Sequence, residues 1–382
     1  SKEYYIMAVS KALSFESTVT INELRVAIPL LGETITPVII SEPGVGKSSL
    51  LAMLAEDNGD QWRRAGDKFD TDKYEYVYLD CPLRDVMDMG AYIPVHEGKT
   101  LEYYVSGLLD LKSGKPKIVM LDEMMKAPKM MQILFTRLML DRMWGEVAMP
   151  KGSIIFATSN NASDGVGDTM LAHAGNRVMI LHMQKPDAKT WLPWAGLNKI
   201  ARAIRAWVAM NPRCLASYLD GGQEDNSYIF KPNNGVLSFV SPRSLAKASV
   251  IVDNQAKLGK NMTRAALAGT VGISAAHDMA AFLTLEKEVV STKDVIANPD
   301  TIQIPEKTAA LCMMLFNALD DLVTQDDLSS FMKFVNRIPS SELQNIFFTT
   351  LMGTARTFKL GKNNESVKEW CKKSDNLALL MN

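Results

Sequence analysis

Apolar positions in the first half of the chain fall into short β-branched runs separated by helical stretches. The runs cover 37–40, 76–79, 118–121, 154–158 and 178–181. Alternation of such runs with helices is the pattern of an α/β layer built on parallel strands. The run through Val119 and Leu121 is apolar throughout, as a strand buried on both faces requires. Between the first two runs a helix is expected to open at Lys47 and continue through Leu50, Leu51 and Leu54. Past Pro186 the character changes: residues 191–219 read as helix, 224–235 as a polar loop, and Pro242 onward as helix again. From Met262 to Asn382 the spacing is helical, interrupted near Asn298-Pro299 and Ile304-Pro305. The expected fold class is α/β, a central parallel sheet followed by an all-helical region. Its expected divisions are a core at 1–185, linker helices and the start of a helical lid at 186–261, and further helices at 262–382.

Composition narrows this picture without redirecting it. A chain of 382 residues is long enough for two or three units with real cores. Forty-two basic residues against 43 acidic ones give a formal charge of -1, so no chain-wide basic footprint for nucleic acid exists. Cys81, Cys214, Cys312 and Cys371 stand far apart, with no CxxC pair and no Cys/His cluster. That excludes a zinc-ligand spacing and a disulfide framework, and the expectation is reduced thiols in a cytoplasmic protein. No apolar run reaches the roughly 18 residues of a membrane span, and Ser1-Lys2-Glu3 does not open a signal peptide. Met124, Met125, Met130 and Met131 read as pliable core filler.

The candidate chemistry begins at Ser41-Glu42-Pro43-Gly44-Val45-Gly46-Lys47-Ser48. A triphosphate needs converging N–H donors, and a glycine-rich turn entering a helix supplies them together with the helix dipole. Gly44 and Gly46 let the backbone approach the phosphates, and Pro43, Val45 and Ser49 complete the cradle. Lys47 would reach the β- and γ-phosphates, and the Ser48 hydroxyl would ligate Mg²⁺. The motif G-x-x-x-x-G-K-[ST] starts with glycine, and here that position is Ser41. The bland alternative is a glycine-rich turn beside a surface lysine; the apolar run before it and the helical run after it favour the phosphate loop.

Downstream, Ile118-Val119-Met120-Leu121 ends in Asp122-Glu123. A buried parallel strand delivers such acids at the carboxyl edge of the sheet, where ligands bind in open α/β folds. Asp122 would hold the Mg²⁺ water shell, and Glu123 would act as general base on the attacking water. The spacing calls for an intervening strand, which the run at 76–79 provides.

These residues resemble the AAA+ ATPases, specifically the MoxR-like branch with an insert in its second helix, over about 23–252. Phe156-Ala157-Thr158-Ser159-Asn160 is similar to the sensor 1 strand, which implies that Asn160, or its neighbour Asn161, sits beside Glu123 and orients the water. Gly175-Asn176-Arg177-Val178 is similar to the arginine-finger segment. Arg177 would then reach the γ-phosphate of a neighbouring subunit. Ser241-Pro242-Arg243-Ser244 is similar to sensor 2, with Arg243 coupling the lid to nucleotide state. Singly, each has an ordinary alternative: a strand-end turn, a solvated arginine, a proline opening a helix. Their order is that of one family. The helical tail would suit a viral or mobile-element member.

Two hairpins are expected. One spans 88–105 around the turn His96-Glu97-Gly98-Lys99, and the resemblance implies that it faces a ring pore. The other spans 142–152, with Trp144 either a contact residue or packing its own hairpin. His173 and His182 read as structural or exposed. The resemblance implies a Mg²⁺-dependent ATPase whose sites complete one another in a homo-oligomeric ring, a hexamer by family habit. Its expected partner is a protein to be remodelled, with a von Willebrand factor A protein as a family expectation. Specificity is then expected in the inserts and helical tail. The competing class is a nucleic-acid-stimulated motor or loader. Near the C-terminus Lys359, Lys362, Lys368, Lys372 and Lys373 form a modest basic stretch, largely balanced by Glu365, Glu369 and Asp375.

Overall fold

The five apolar runs all become strands, and two short edge strands and two hairpins join them. In chain order the strands are β1 (Thr18–Val19), β2 (Thr36–Ser41), β3 (Phe69–Asp70), β4 (Glu75–Asp80), β5 (Gly90–Val95) and β6 (Thr100–Val105). They continue with β7 (Lys117–Asp122), β8 (Met143–Trp144), β9 (Val147–Ala148), β10 (Ile154–Asn160) and β11 (Val178–Met183). The structure, a computed structural model, describes residues 18–59, 69–70, 73–161, 177–232, 235–285 and 289–372. His173, Gly175, Asn176, Lys373 and Asp375 lie outside the described residues. Two compact units divide the chain, the first ending at Lys185 and the second starting at Pro186.

The main sheet runs β1-β11-β2-β10-β7-β4-β3. Six of these strands are parallel, and β3 pairs antiparallel with β4 at the edge. Strand alternation sends neighbouring residues to opposite faces. Ile39, Ile118, Met120, Ile154 and Phe156 pack with Leu24, Ile28, Leu50, Leu51 and Leu54, from helices Ile21–Leu31 and Leu50–Asp57. Val38, Val119, Leu121, Ile155 and Ala157 pack on the other side with Met131, Phe135, Leu138 and Met139, from helix Lys129–Asp141. Both faces are therefore covered, which explains why β7 is apolar from Ile118 to Leu121.

The strand lying between β2 and β7 in the sheet is β10, which comes later in sequence than either. The run at 76–79 intervenes in sequence only; as part of β4 it pairs on the far side of β7. Register aligns the carboxyl ends: Asn160 faces Ser41, Ala157 faces Leu121, and Asp80 faces Asp122. At the opposite edge the buried Lys117 Nζ lies 2.5 Å from Glu75 Oε2 and 3.0 Å from Ser113 Oγ. A mispaired register would leave one of those buried charges without its partner, so the pair pins β4 against β7.

Two departures from the sequence reading have local causes, and the alternatives left open at Trp144 resolve to packing. No α-helix forms between β4 and β7; 3₁₀ turns at Cys81–Leu83, Val86–Asp88, Gly107–Leu109 and Leu111–Ser113 flank the β5–β6 hairpin instead. Pro82, Gly90, Gly107, Gly114 and Pro116 interrupt every helical window there. The helix expected over 191–219 is broken into Ala188–Leu197, Arg202–Met210 and a 3₁₀ turn at Pro212–Leu215. Lys199, at φ 54°, separates the first two, and Pro212 follows the end of the second. Trp144 is fully buried and packs against Phe135 at 6.4 Å, so it belongs to the core and presents no contact surface.

The second unit is helical. From Pro242–Asp253 to Glu365–Lys372 it has no strands among the described residues. Its core gathers Trp191, Trp207, Phe316, Phe331, Phe347, Phe348 and Trp370. No helix among the described residues is long and apolar enough to cross a membrane.

Candidate phosphate-binding site

Strand β2 ends at Ser41, the chain turns through Glu42 to Gly46, and a 3₁₀ turn Lys47–Ser49 leads into helix Leu50–Asp57. Gly44 (φ 79°) and Gly46 (φ 109°) hold left-handed backbone that a side chain would strain. Ser41 does not: it is the last residue of the extended strand, and its φ is not positive. The conformational reason for glycine therefore applies at 44 and 46 and is absent at 41. Val45 anchors the loop by burying its side chain among Leu24, Leu50 and Leu54.

Lys47 is buried, and its three Nζ protons are shared among four acceptors within hydrogen-bond distance. They are Ser41 Oγ at 2.9 Å, Glu42 O at 2.9 Å, Asn160 Oδ1 at 2.9 Å and Ser41 O at 3.2 Å. Glu42 is also buried, with Lys185 Nζ 4.0 Å from its Oε2. The loop thus gathers a cation, strand-end polar groups and the open backbone of two glycines at one sheet edge.

Beside it, Asp122 accepts from three hydroxyls. Ser48 Oγ donates to Oδ2 at 2.9 Å, Tyr78 OH donates to the same oxygen at 2.7 Å, and Thr158 Oγ1 donates to Oδ1. Burial, and next the bond to Asp122, push the Tyr78 phenol well above its ordinary range, so it remains a donor. Burial likewise pushes the Cys81 thiol up, with Asp122 and Asp80 adding to it; this thiol is inert filler behind the site.

Glu123 follows in a left-handed conformation (φ 51°, ψ 38°) that few non-glycine residues adopt. Its N–H donates to Thr158 Oγ1 at 3.3 Å, and its Oε2 accepts from Lys126 Nζ at 2.8 Å. The turn lifts the carboxylate off the strand and leaves it partly exposed, at 37% of its side chain. Thr158 and Asn160, two apart on β10, share one face; one reaches Asp122 and the other Lys47. Asn161 is buried and lies just past the end of β10. Asn160 engages Lys47 and not Glu123.

The structure therefore brings together Ser41, Lys47, Ser48, Asp122 and Asn160 by hydrogen bonds, with Glu123 joined through Thr158. Pro43, Gly44, Val45, Gly46 and Ser49 form the loop around them. Arg177 is elsewhere. It is exposed and precedes β11, whose Val178 lies beside Thr36 at the start of β2. From there to Ser41 is five strand steps, roughly 17 Å at about 3.3 Å each, farther than an arginine side chain reaches. Arg243 lies in the second unit, exposed in the first turn of helix Pro242–Asp253, where Ser241 and Ser244 form the capping box. His182 is half-buried in β11, and burial lowers its pKa, so the ring stays neutral near pH 7.

Tyr78 and Thr158 are the site residues that sequence reading did not single out. Both sat inside apolar runs and looked like strand filler. The only signal available was their polar tip near a strand end, and its partner depends on sheet order.

No protein-family model and no curated protein sequence matches the chain. Among solved structures it resembles a RuvB point mutant from Thermotoga maritima at 11% identity and a TM-score of 0.33, over 79% of this chain and 83% of that one. It also resembles NtrX from Brucella abortus, in complex with ADP, at 14% identity and a TM-score of 0.29, over 92% of this chain and 67% of that one. Likenesses this remote leave the functional reading to the geometry of the site.

Proposed function

We propose that the chain is an ATPase of the AAA+ type, hydrolysing MgATP at the interfaces of a homo-oligomeric ring to remodel a partner protein. The observation that carries this reading is the convergence of Lys47, Ser48, Asp122 and Asn160 at the carboxyl edge of one parallel sheet. The N–H groups of the Gly44–Ser49 turn cradle the phosphates, and Lys47 neutralises the charge that builds on them. The donor set fits Mg²⁺: a hydroxyl and a carboxylate 2.9 Å apart, both hard oxygens. Ser48 would hold the ion directly and Asp122 through water; when bound, it neutralises phosphate charge and orients the γ-phosphoryl group. Tyr78 and Thr158 fix the Asp122 carboxylate by donating to both of its oxygens. Glu123 takes a proton from the attacking water, and Asn160, once released by Lys47, orients that water.

Arg177 supports the ring. Placed at the edge opposite its own loop, it serves a neighbour's site and not its own. Arg243 is the lid arginine of this scheme. A hexamer and a von Willebrand factor A partner are the family expectations that fit the scheme.

The reading is tested by phosphate release from MgATP. The parent protein turns over, and Lys47→Ala abolishes both turnover and nucleotide binding. Equal phosphate release by the parent and by Lys47→Ala would remove the site from the chemistry. Nucleic-acid stimulation that collapses with salt would favour a motor. The basic stretch near the C-terminus argues for the protein substrate: Lys368 pairs with Glu365, and Lys362 lies over the Phe358 ring.

The β5–β6 hairpin suits partner contact. His96, Glu97, Gly98 and Lys99 are all exposed at its turn, and Tyr92, Ile93, Leu101 and Tyr104 stand exposed along its strands. Alanine at His96, Glu97 and Lys99 together should keep basal hydrolysis and lose stimulation by the partner. Unchanged stimulation would assign the hairpin to the ordinary surface.

A further inference from the structure

Ser41 stands where a phosphate loop of this type carries its first glycine, and its hydroxyl is engaged. An ammonium has three protons. Lys47 meets four acceptors, two of them from Ser41, so its donors are fully committed within the loop and to Asn160. The Ser41 hydroxyl is itself buried, and it donates onward to Glu42 O at 3.2 Å. Register places Ser41 directly across from Asn160, so one residue touches the lysine and neighbours the asparagine. Glycine at 41 would offer Lys47 only a carbonyl, and the extended backbone there has no need of glycine.

We propose that Ser41 is a positioning residue, whose hydroxyl latches Lys47 against Asn160 so that incoming phosphates must break the latch to bind. The proposal rests on the phosphate-site reading above and names a regulation of that site. Nucleotide binding withdraws Lys47 from Ser41 and Asn160 together, freeing the asparagine amide for the attacking water. Departure of the product lets the latch close again, which favours release.

Three substitutions separate the hydroxyl from the backbone. Ser41→Ala and Ser41→Gly remove the hydroxyl; Ser41→Thr keeps it. Binding of mant-ATP with Mg²⁺ should tighten about tenfold in the first two, the size of one hydrogen bond to a charged group. The threonine variant should stay close to the parent. In steady state, KM for ATP should fall with Kd in the alanine and glycine variants, and the threonine variant should keep the parent's KM. A merely structural serine predicts the opposite, a raised KM once the loop is disturbed. Unchanged or weakened binding in both variants, with a parent that binds mant-ATP through Lys47, overturns the latch and leaves the site intact. A parent that binds no mant-ATP overturns the phosphate-site reading and the latch with it.

Discussion

Glu123→Gln is expected to bind MgATP as the parent does and to hydrolyse it about 10²–10⁴-fold more slowly, the usual contribution of a positioned general base. Glutamine keeps the size of the side chain and tolerates the same left-handed backbone, held by the Thr158 hydroxyl at 3.3 Å from the Glu123 N–H. It cannot accept the water's proton. Binding and turnover therefore separate, which a folding defect would not produce. The variant should also hold its partner protein in a stalled ATP complex, and affinity purification with ATP would then recover that partner. Phosphate release at the parent's rate would remove Glu123 from the mechanism. The carboxylate has a local occupant, Lys126 at 2.8 Å, and with about a third of each side chain exposed that pair opens at small cost.

The second large effect is at Arg177. Alanine there should lower turnover by about 10³–10⁵-fold, the range of an arginine finger acting across an interface. Nucleotide binding to the isolated chain should change little, because the side chain starts beside Thr36 and not beside Ser41. Mixing makes the test specific. Arg177→Ala and Lys47→Ala chains are each inactive alone. In a mixed ring, an intact loop from the first meets an intact arginine from the second, and part of the activity returns. Full turnover by Arg177→Ala, or no recovery on mixing while mixed rings form, would rule out the role in trans.

Much of this site was legible from residue order. A phosphate loop is a local object: two glycines, a lysine and a hydroxyl between an apolar run and a helix, all within ten residues. Asp122 and Glu123 stood out because an apolar run ending in two acids, downstream of a glycine-rich loop, suits the carboxyl edge of a parallel sheet. Asn160 and Asn161 stayed alternatives in the sequence, and only the bond from Lys47 to Asn160 Oδ1 distinguishes them. The role of Ser41 was not legible. As a departure from the glycine pattern it looked like a tolerated change in backbone freedom, whereas the structure shows an extended backbone and an engaged hydroxyl.

Hydrophobic periodicity determined the strands, the helical second half and the loop, because each depends on neighbours within a turn or a few strand residues. It assigned 191–219 to one helix because the spacing stays apolar through Lys199, where the backbone turns left-handed. Tertiary structure alone decided which strand lies beside which. Burial of β7 on both faces says that the sheet is covered on either side, and it does not name β10 and β4 as the strands paired with it. That choice, made by long crossovers, puts Asn160 beside Ser41, aims Tyr78 and Thr158 at Asp122, and sends Arg177 to the far edge. Sequence wrote the parts of the proposed phosphate site; only the order of strands in the sheet could assemble them.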